Sequence, residues 1–230
     1  VTAGLDLSLY LVTDSRLAAQ AGHELPGLVR AAVAGGVTAV QLREKDAGAR
    51  DFLDLVLRVA EQLPEAVPLI VNDRVDVFLA ARHAGAPVAG VHLGQSDLPA
   101  AAARELIGPE ALIGVSASTP EQLREAAGGA GRVDYVGIGA LHATRTKADA
   151  PPPLGVRRFA ALLAETALPA VAIGGVSVAD MPALRAQGAA GGAVVSAICS
   201  AADPGAAARQ LREAWQSGAD GAGASQGAPA

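Results

Sequence analysis

Cysteine is nearly absent from this sequence. The single Cys199 in 230 residues excludes an intrachain disulfide framework and a cysteine-built metal cluster, and it fits a reducing compartment. Aromatic residues are scarce too, at 3% against 51% apolar residues overall, so the core must be largely aliphatic. Basic residues are outnumbered: 18 Lys and Arg against 23 Asp and Glu leave a net charge of −5. They are scattered rather than clustered, which argues against a nucleic-acid partner. Any bound anion must be held by local geometry and not by the field of the whole molecule. There is no apolar run of about 18 residues and no signal-peptide pattern, so no membrane role is expected and a cytoplasmic location is. No Ser/His/Asp or Cys/His pattern of an activated nucleophile is present.

What is present is a regular alternation. A length of 230 residues suits one globular domain with a full core. Short apolar or β-branched runs at 9–13, 38–42, 69–71, 90–93, 112–115, 135–138, 170–173 and 193–195 read as strands. Helical periodicity follows at 23–34, 50–63 and 75–84, from near Pro99, and from Thr119 as an N-cap with Pro120 behind it. It returns at 156–165, 179–187 and 204–215. Strands alternating with helices imply right-handed βαβ units around a parallel sheet. Eight units of roughly 25 to 30 residues close naturally into a (β/α)8 TIM barrel, here a single catalytic domain over 1–216. The alternative, an open doubly wound sheet, needs an order reversal of which the repeats give no sign. Residues 217–230 are Gly, Ala, Ser and Gln with little to bury, and read as a disordered tail.

In such a barrel the active site lies at the carboxyl ends of the strands, and the polar residues of this chain crowd there. Val40 to Lys45 is the organising stretch: alternation sets Gln41, Arg43 and Lys45 on one side at the end of a buried strand. Asn72 and Asp73 follow the third strand, Gln95 and Asp97 the fourth, and Ser116 ends the fifth. Thr144, Arg145, Thr146, Lys147 and Asp149 lie in a polar segment, 141–153, after the sixth. Gly174-Gly175 and Ser196 end the seventh and eighth. Each set also has a plainer reading. Arg43 and Lys45 read as a solvated strand end, Asn72-Asp73 as a turn or cap, and Asp97 as a cap for the helix near Pro99. Residues 144–147 read as ordinary loop polarity, and Gly174-Gly175 as turn glycines. His92 on a buried strand reads as a satisfied core residue, and Cys199 as a small core hydrophobe. Taken jointly, matching polar chemistry on one rim points to a phosphate ligand.

Two carboxylates at one mouth repel each other and a phosphate unless a cation sits between them. Asp73 and Asp97 therefore read as Mg2+ ligands. Arg43, Lys45 and Lys147 then balance the rest of a diphosphate. A second anion site is expected at strands seven and eight, where Gly174-Gly175 let backbone N–H groups approach and Val195-Ser196 add to them.

At these residues the chain resembles the thiamine-phosphate synthase family. The matching words are Gln41-Leu-Arg-Glu-Lys45, Val71-Asn-Asp-Arg74, Gly90-Val-His-Leu-Gly-Gln-Ser-Asp97, Gly114-Val-Ser-Ala117, Thr144-Arg-Thr-Lys147, Ala172-Ile-Gly-Gly175 and Val194-Val-Ser-Ala-Ile198. They run in the family's order over about residues 8 to 216. The resemblance implies a Mg2+-dependent enzyme acting on two small molecules. It would join a hydroxymethylpyrimidine diphosphate to a thiazole phosphate by dissociative substitution, releasing thiamine monophosphate and diphosphate. It implies that Gln41, Arg43, Lys45, Asn72, Ser116 and Lys147 hold the pyrimidine diphosphate, and that Asp73 and Asp97 bind the metal. Thr144 and Thr146 would line the thiazole side, with Gly175, Val195 and Ser196 on its phosphate. Leu42, Glu44 and Arg145 fall within the matching words and are expected among the substrate contacts. Arg43, Lys45, Ser116 and Lys147 are the expected catalytic groups.

Two departures stand out. The family's Pro-rich word before Thr144 is here Gly139-Ala-Leu-His-Ala, with both prolines missing, and Ser118 stands where the family often has His. A related thiazole tautomerase would not need the diphosphate machinery, so retention of Lys45, Asp73, Asp97 and Lys147 argues against it. A silent barrel that only binds a phosphorylated ligand would show no Mg2+-dependent turnover. The oligomeric state is not fixed by the sequence, which leaves a homo-oligomer open.

Overall fold

Eight short apolar runs, each too brief for a helix, form the strands of the computed structural model, which describes residues 5–144 and 152–222. They are β1 (Leu9–Val12), β2 (Ala39–Leu42), β3 (Leu69–Asn72), β4 (Val88–Leu93), β5 (Leu112–Ser116), β6 (Tyr135–Gly139), β7 (Ala170–Ile173) and β8 (Gly191–Val194). Each pairs in parallel with the next, and β8 closes on β1, so the sheet is a barrel without edges. The helices between them are α1 (Ser15–Gln20), α2 (Leu25–Ala34), α3 (Ala49–Ala60), α4 (Val75–His83), α5 (Ala100–Ile107) and α6 (Pro120–Gly128). They continue with α7 (Gly155–Leu163), α8 (Met181–Ala186), α9 (Ser196–Cys199) and α10 (Pro204–Ala222). This is the expected (β/α)8 barrel.

Period-two alternation divides the strand side chains into two cores. Leu9, Leu11, Val40, Leu42, Val71, Val91, Ile113 and Val136 face outward and pack under the helices. Tyr10, Ala39, Ile70, Tyr135, Val171 and Ala193 fill the barrel interior. Register keeps that interior from overfilling: Tyr10 lies beside Ala39, and Tyr135 beside Gly114. A Cβ on Gly114 would overlap the Tyr135 ring.

Some elements differ from expectation. Helix α1 is an addition: Asp14, two residues past β1, caps this helix by accepting from the Leu17 N–H at 2.9 Å. Helix α9 is a second addition, a single turn directly after β8, and Val195 belongs to its cap rather than to the strand. Helix α10 continues to Ala222, past the expected helix end at 215. The expected tail thus begins as helix, and 223–230 lie outside the described residues. Strand β2 stops at Leu42, so Arg43 and Lys45 are loop residues. Cys199 is fully buried, and burial pushes its thiol up to about 11, as befits a core residue.

Candidate active site

The barrel's carboxyl rim encloses a cavity of about 530 Å3. Its wall is built strand by strand from inward positions and the loop just beyond. From the β2 side come Gln41, Arg43 and Lys45. Although the strand has ended, the Arg43 N–H donates to the Thr13 hydroxyl at 3.1 Å, and this holds the chain on course so that alternate residues still face the mouth.

Asn72 and Asp73 contribute next. Asp73 has φ 61°, a left-handed conformation that Asp adopts more readily than most residues, and its N–H donates to the His92 carbonyl at 2.8 Å. Asp97 comes from the loop after β4. It does not cap α5; its Oδ2 accepts from the Gly94 N–H at 2.7 Å and closes its own turn. The two carboxyls meet. Burial and the hydrogen bond and charge of Asp97 push Asp73 up to about 6, against the opposing pull of Lys45. Two carboxylates that close at a polar mouth are donors of the kind a hard cation takes, with water and phosphate oxygens as the usual remaining ligands. Among the described residues no cluster of three or more His, Cys, Asp or Glu offers an all-protein metal cage.

Below the rim runs a buried polar chain. Gln41 Nε2 donates to the Tyr10 hydroxyl at 2.8 Å, and the Tyr10 and Tyr135 hydroxyls share a hydrogen bond of 2.6 Å. Tyr135 also bonds His92 Nδ1 at 3.1 Å, and His92 Nε2 bonds the Ser116 hydroxyl at 3.0 Å. The Tyr10 and Tyr135 rings meet edge to face, with centroids 5.8 Å apart. Burial raises both phenols well above their ordinary range.

The opposite wall comes from β6, β7 and β8. Gly174 and Gly175 have φ 90° and 69°, which favour glycine. They also permit contact with the β6 loop: a Cβ on Gly174 would lie 2.7 Å from that of Ala140, and one on Gly175 2.8 Å from that of His142. The turn reading and the ligand reading of these glycines are therefore compatible. The loop lacking its prolines is pinned in another way. The Leu141 and His142 N–H groups donate to the Ile173 and Gly174 carbonyls at 2.8 and 2.9 Å. His142 Nε2 lies 2.8 Å from Asp180 Oδ1. Burial alone would raise the Asp180 carboxyl, but the hydrogen bonds from His142 and Ser177 bring it below the usual range.

Of the expected site residues, Gln41, Arg43, Lys45, Asn72, Asp73, Asp97, Ser116, Thr144, Gly175, Val195 and Ser196 line this one cavity. Leu42 and Glu44 do not. Leu42 is fully buried in the outer core, as its alternation with Gln41 on β2 requires, and Glu44 hydrogen-bonds Ser15. Arg145, Thr146, Lys147 and Asp149 lie outside the described residues. Tyr10, Val12 and Ile173, which the sequence did not single out, also line the cavity, together with His92, Ser118 and Gly174. His92 is a cavity residue as well as a satisfied one. Its parity with Asn72 and Gln41 was the available signal.

Comparison with known proteins follows the same lines. The family model described as thiamine monophosphate synthase matches residues 9–198. A thiamine-phosphate synthase of Azorhizobium caulinodans is 50% identical over 208 residues, 90% of this chain and 94% of that protein. One from Syntrophomonas wolfei subsp. wolfei is 45% identical over 212 residues, 92% of this chain and 97% of that protein. The solved thiamine phosphate pyrophosphorylase from Pyrococcus furiosus superposes with a TM-score of 0.80 at 32% identity, covering 93% of this chain and 98% of its own.

Proposed function

This chain belongs to the thiamine-phosphate synthase family, transferases of thiamine biosynthesis, and from that premise we propose how its cavity performs the transfer. The substrates are a hydroxymethylpyrimidine diphosphate and a thiazole phosphate, and the products thiamine monophosphate and diphosphate. The observation that carries this reading is the convergence of Arg43, Lys45, Asp73, Asp97 and Ser116 on one wall, facing Gly175 and Ser196 on the other. One wall suits a diphosphate with its metal; the other suits a monophosphate.

Asp73 and Asp97 fit Mg2+, because a divalent cation removes the repulsion that drives Asp73 toward protonation. When bound there, the ion supplies charge neutralisation to the departing diphosphate. Arg43 and Lys45 hold and neutralise the same group, joined by Lys147 from the segment beyond Thr144. The bond between the pyrimidine methylene carbon and the diphosphate oxygen breaks, and oxygen keeps the electron pair. The electron-rich aminopyrimidine stabilises the resulting cation. The thiazole nitrogen lone pair then forms the new C–N bond. No side chain forms a covalent intermediate, in keeping with the lack of a nucleophile and base pair in the sequence. The walls supply proximity and charge. Phosphorylated substrates and a lone unreactive cysteine fit a cytoplasmic setting.

The test is a product assay. Purified protein is mixed with pyrimidine diphosphate and thiazole phosphate, with Mg2+ or with EDTA, beside Asp73→Ala. Thiamine monophosphate that requires both Mg2+ and Asp73 is the expected result. Saturable binding of thiazole phosphate with no product would move the chain to a tautomerase or a silent binder.

A further inference from the structure

We propose that Tyr10 and Tyr135 are positioning residues that set the donor and acceptor polarity of Gln41 and Ser116 together, and so help the cavity choose an aminopyrimidine. The inference rests on the reading of Gln41 and Ser116 as pyrimidine contacts.

The five residues come from five strands, β2, β1, β6, β4 and β5 in order along the chain of bonds. Gln41, His92 and Ser116 line the cavity, as does the almost fully buried Tyr10. The middle is sealed: Tyr10 and Tyr135 are at most 1% exposed. Among the described residues, no buried side-chain nitrogen or oxygen lacks a partner. Room for the two rings is provided by Ala39 and Gly114 beside them.

A hydroxyl has one hydrogen to give, and a neutral imidazole has one N–H and one bare nitrogen. The links in such a chain must therefore run in one direction, because a reversal midway leaves a buried hydroxyl hydrogen without an acceptor or demands a doubly protonated imidazole. The Gln41 amide N–H donates to Tyr10. Tyr10 then donates to Tyr135, Tyr135 to His92 Nδ1, and His92 Nε2–H to Ser116. This order leaves the Gln41 carbonyl as an acceptor, and the second Gln41 amide N–H and the Ser116 O–H as donors, at the mouth. An aminopyrimidine edge carries the complement, an exocyclic N–H donor next to a ring nitrogen acceptor. The corresponding oxo-pyrimidine carries the reverse pattern. It could be matched only by turning every link of the chain and flipping the Gln41 amide. Sites built around hydrogen bonds reject the mismatched analogue because buried polar groups are left unpaired.

The experiment compares wild type, Tyr10→Phe, Tyr135→Phe and the double variant, each checked for a cooperative melt. Phenylalanine keeps the ring packing and removes the link. In Tyr135→Phe the KM for the aminopyrimidine diphosphate is expected to rise roughly tenfold, the KM for the thiazole phosphate to hold, and the preference over the oxo analogue to fall by about the same factor. The double variant should be no worse than the worse single one, since both cut the same chain. Additive effects, or an unchanged preference with lowered stability alone, would overturn the proposal. A second measurement does not depend on turnover: nitrogen-15 spectra of the histidine rings, with the His92 signal assigned by its loss in His92→Asn. The Nε2–H tautomer is expected in wild type, with a change in Tyr135→Phe. An Nδ1–H tautomer, or no response to Tyr135→Phe, would also overturn it. Wild-type inactivity with the expected tautomer would instead count against the synthase reading.

Discussion

At the scale of single residues, the cations are the most selective feature. The 230 residues hold two lysines, Lys45 and Lys147, and both fall in the words that resemble the family. Elsewhere the chain uses arginine, so neither lysine is part of a general surface coat. Lys147→Ala is expected to lower turnover by about 100-fold or more while thiazole phosphate binding changes little, because in the proposed mechanism its charge offsets that of the departing diphosphate. Steady-state kinetics beside calorimetric binding check this, and unchanged turnover would remove Lys147 from the mechanism. Amine-selective acetylation, which removes the charge, should inactivate the protein, and pyrimidine diphosphate with Mg2+ should protect both lysines in mass spectra.

At the scale of elements, Arg104 of α5 ties the amino-terminal end of the barrel. Its guanidinium donates to the carbonyls of Gly108, Pro109, Ala111, Gly131 and Arg132, and at 3.1 Å to Asp134 just before β6. Removing a largely buried charge that serves so many acceptors leaves them unpaired, so Arg104→Met should cost about 3 kcal/mol of stability. A urea titration at constant slope checks it, and KM values should not move because Arg104 lies outside the cavity wall.

Elements also show why the sequence was legible in part. The strands were plain because period-two burial on both faces leaves short aliphatic runs. Helix α1 was hidden because only Ala18 in it is buried, so Asp14 as a cap was its one signal. Helix α9 is too short to have a period. The end of α10 was misread because its small residues looked as if they had nothing to bury. Smallness is what lets the helix pack closely: a Cβ on Gly218 would come within 2.6 Å of the Pro182 carbonyl oxygen. The rim residues could be found one strand at a time. The Tyr10–Tyr135 contact could not, since it depends on how the closed barrel brings β1 and β6 across from each other.

At the scale of the whole molecule, the two phenols link stability to alkaline pH. Burial raises both above their unfolded value of about 10, so the fold favours their neutral form. That contribution is complete below about pH 10 and is lost as pH rises further, because the unfolded chain gives up the protons first. Base-induced loss of circular dichroism should therefore coincide with the growth of tyrosinate absorbance. Tyrosinate forming in a barrel that is still folded would contradict this.

There is a practical consequence in the distribution of chromophores. The chain has two tyrosines, both sealed in the barrel, and one tryptophan, Trp215, on α10 with the Arg185 guanidinium 5.7 Å from its ring. Tyrosine light therefore reports on the inner cylinder and tryptophan light on the outer seam of α8 and α10. The unlabelled protein carries two separate optical gauges, and an experimenter can watch the inside and the outside come apart without changing a residue.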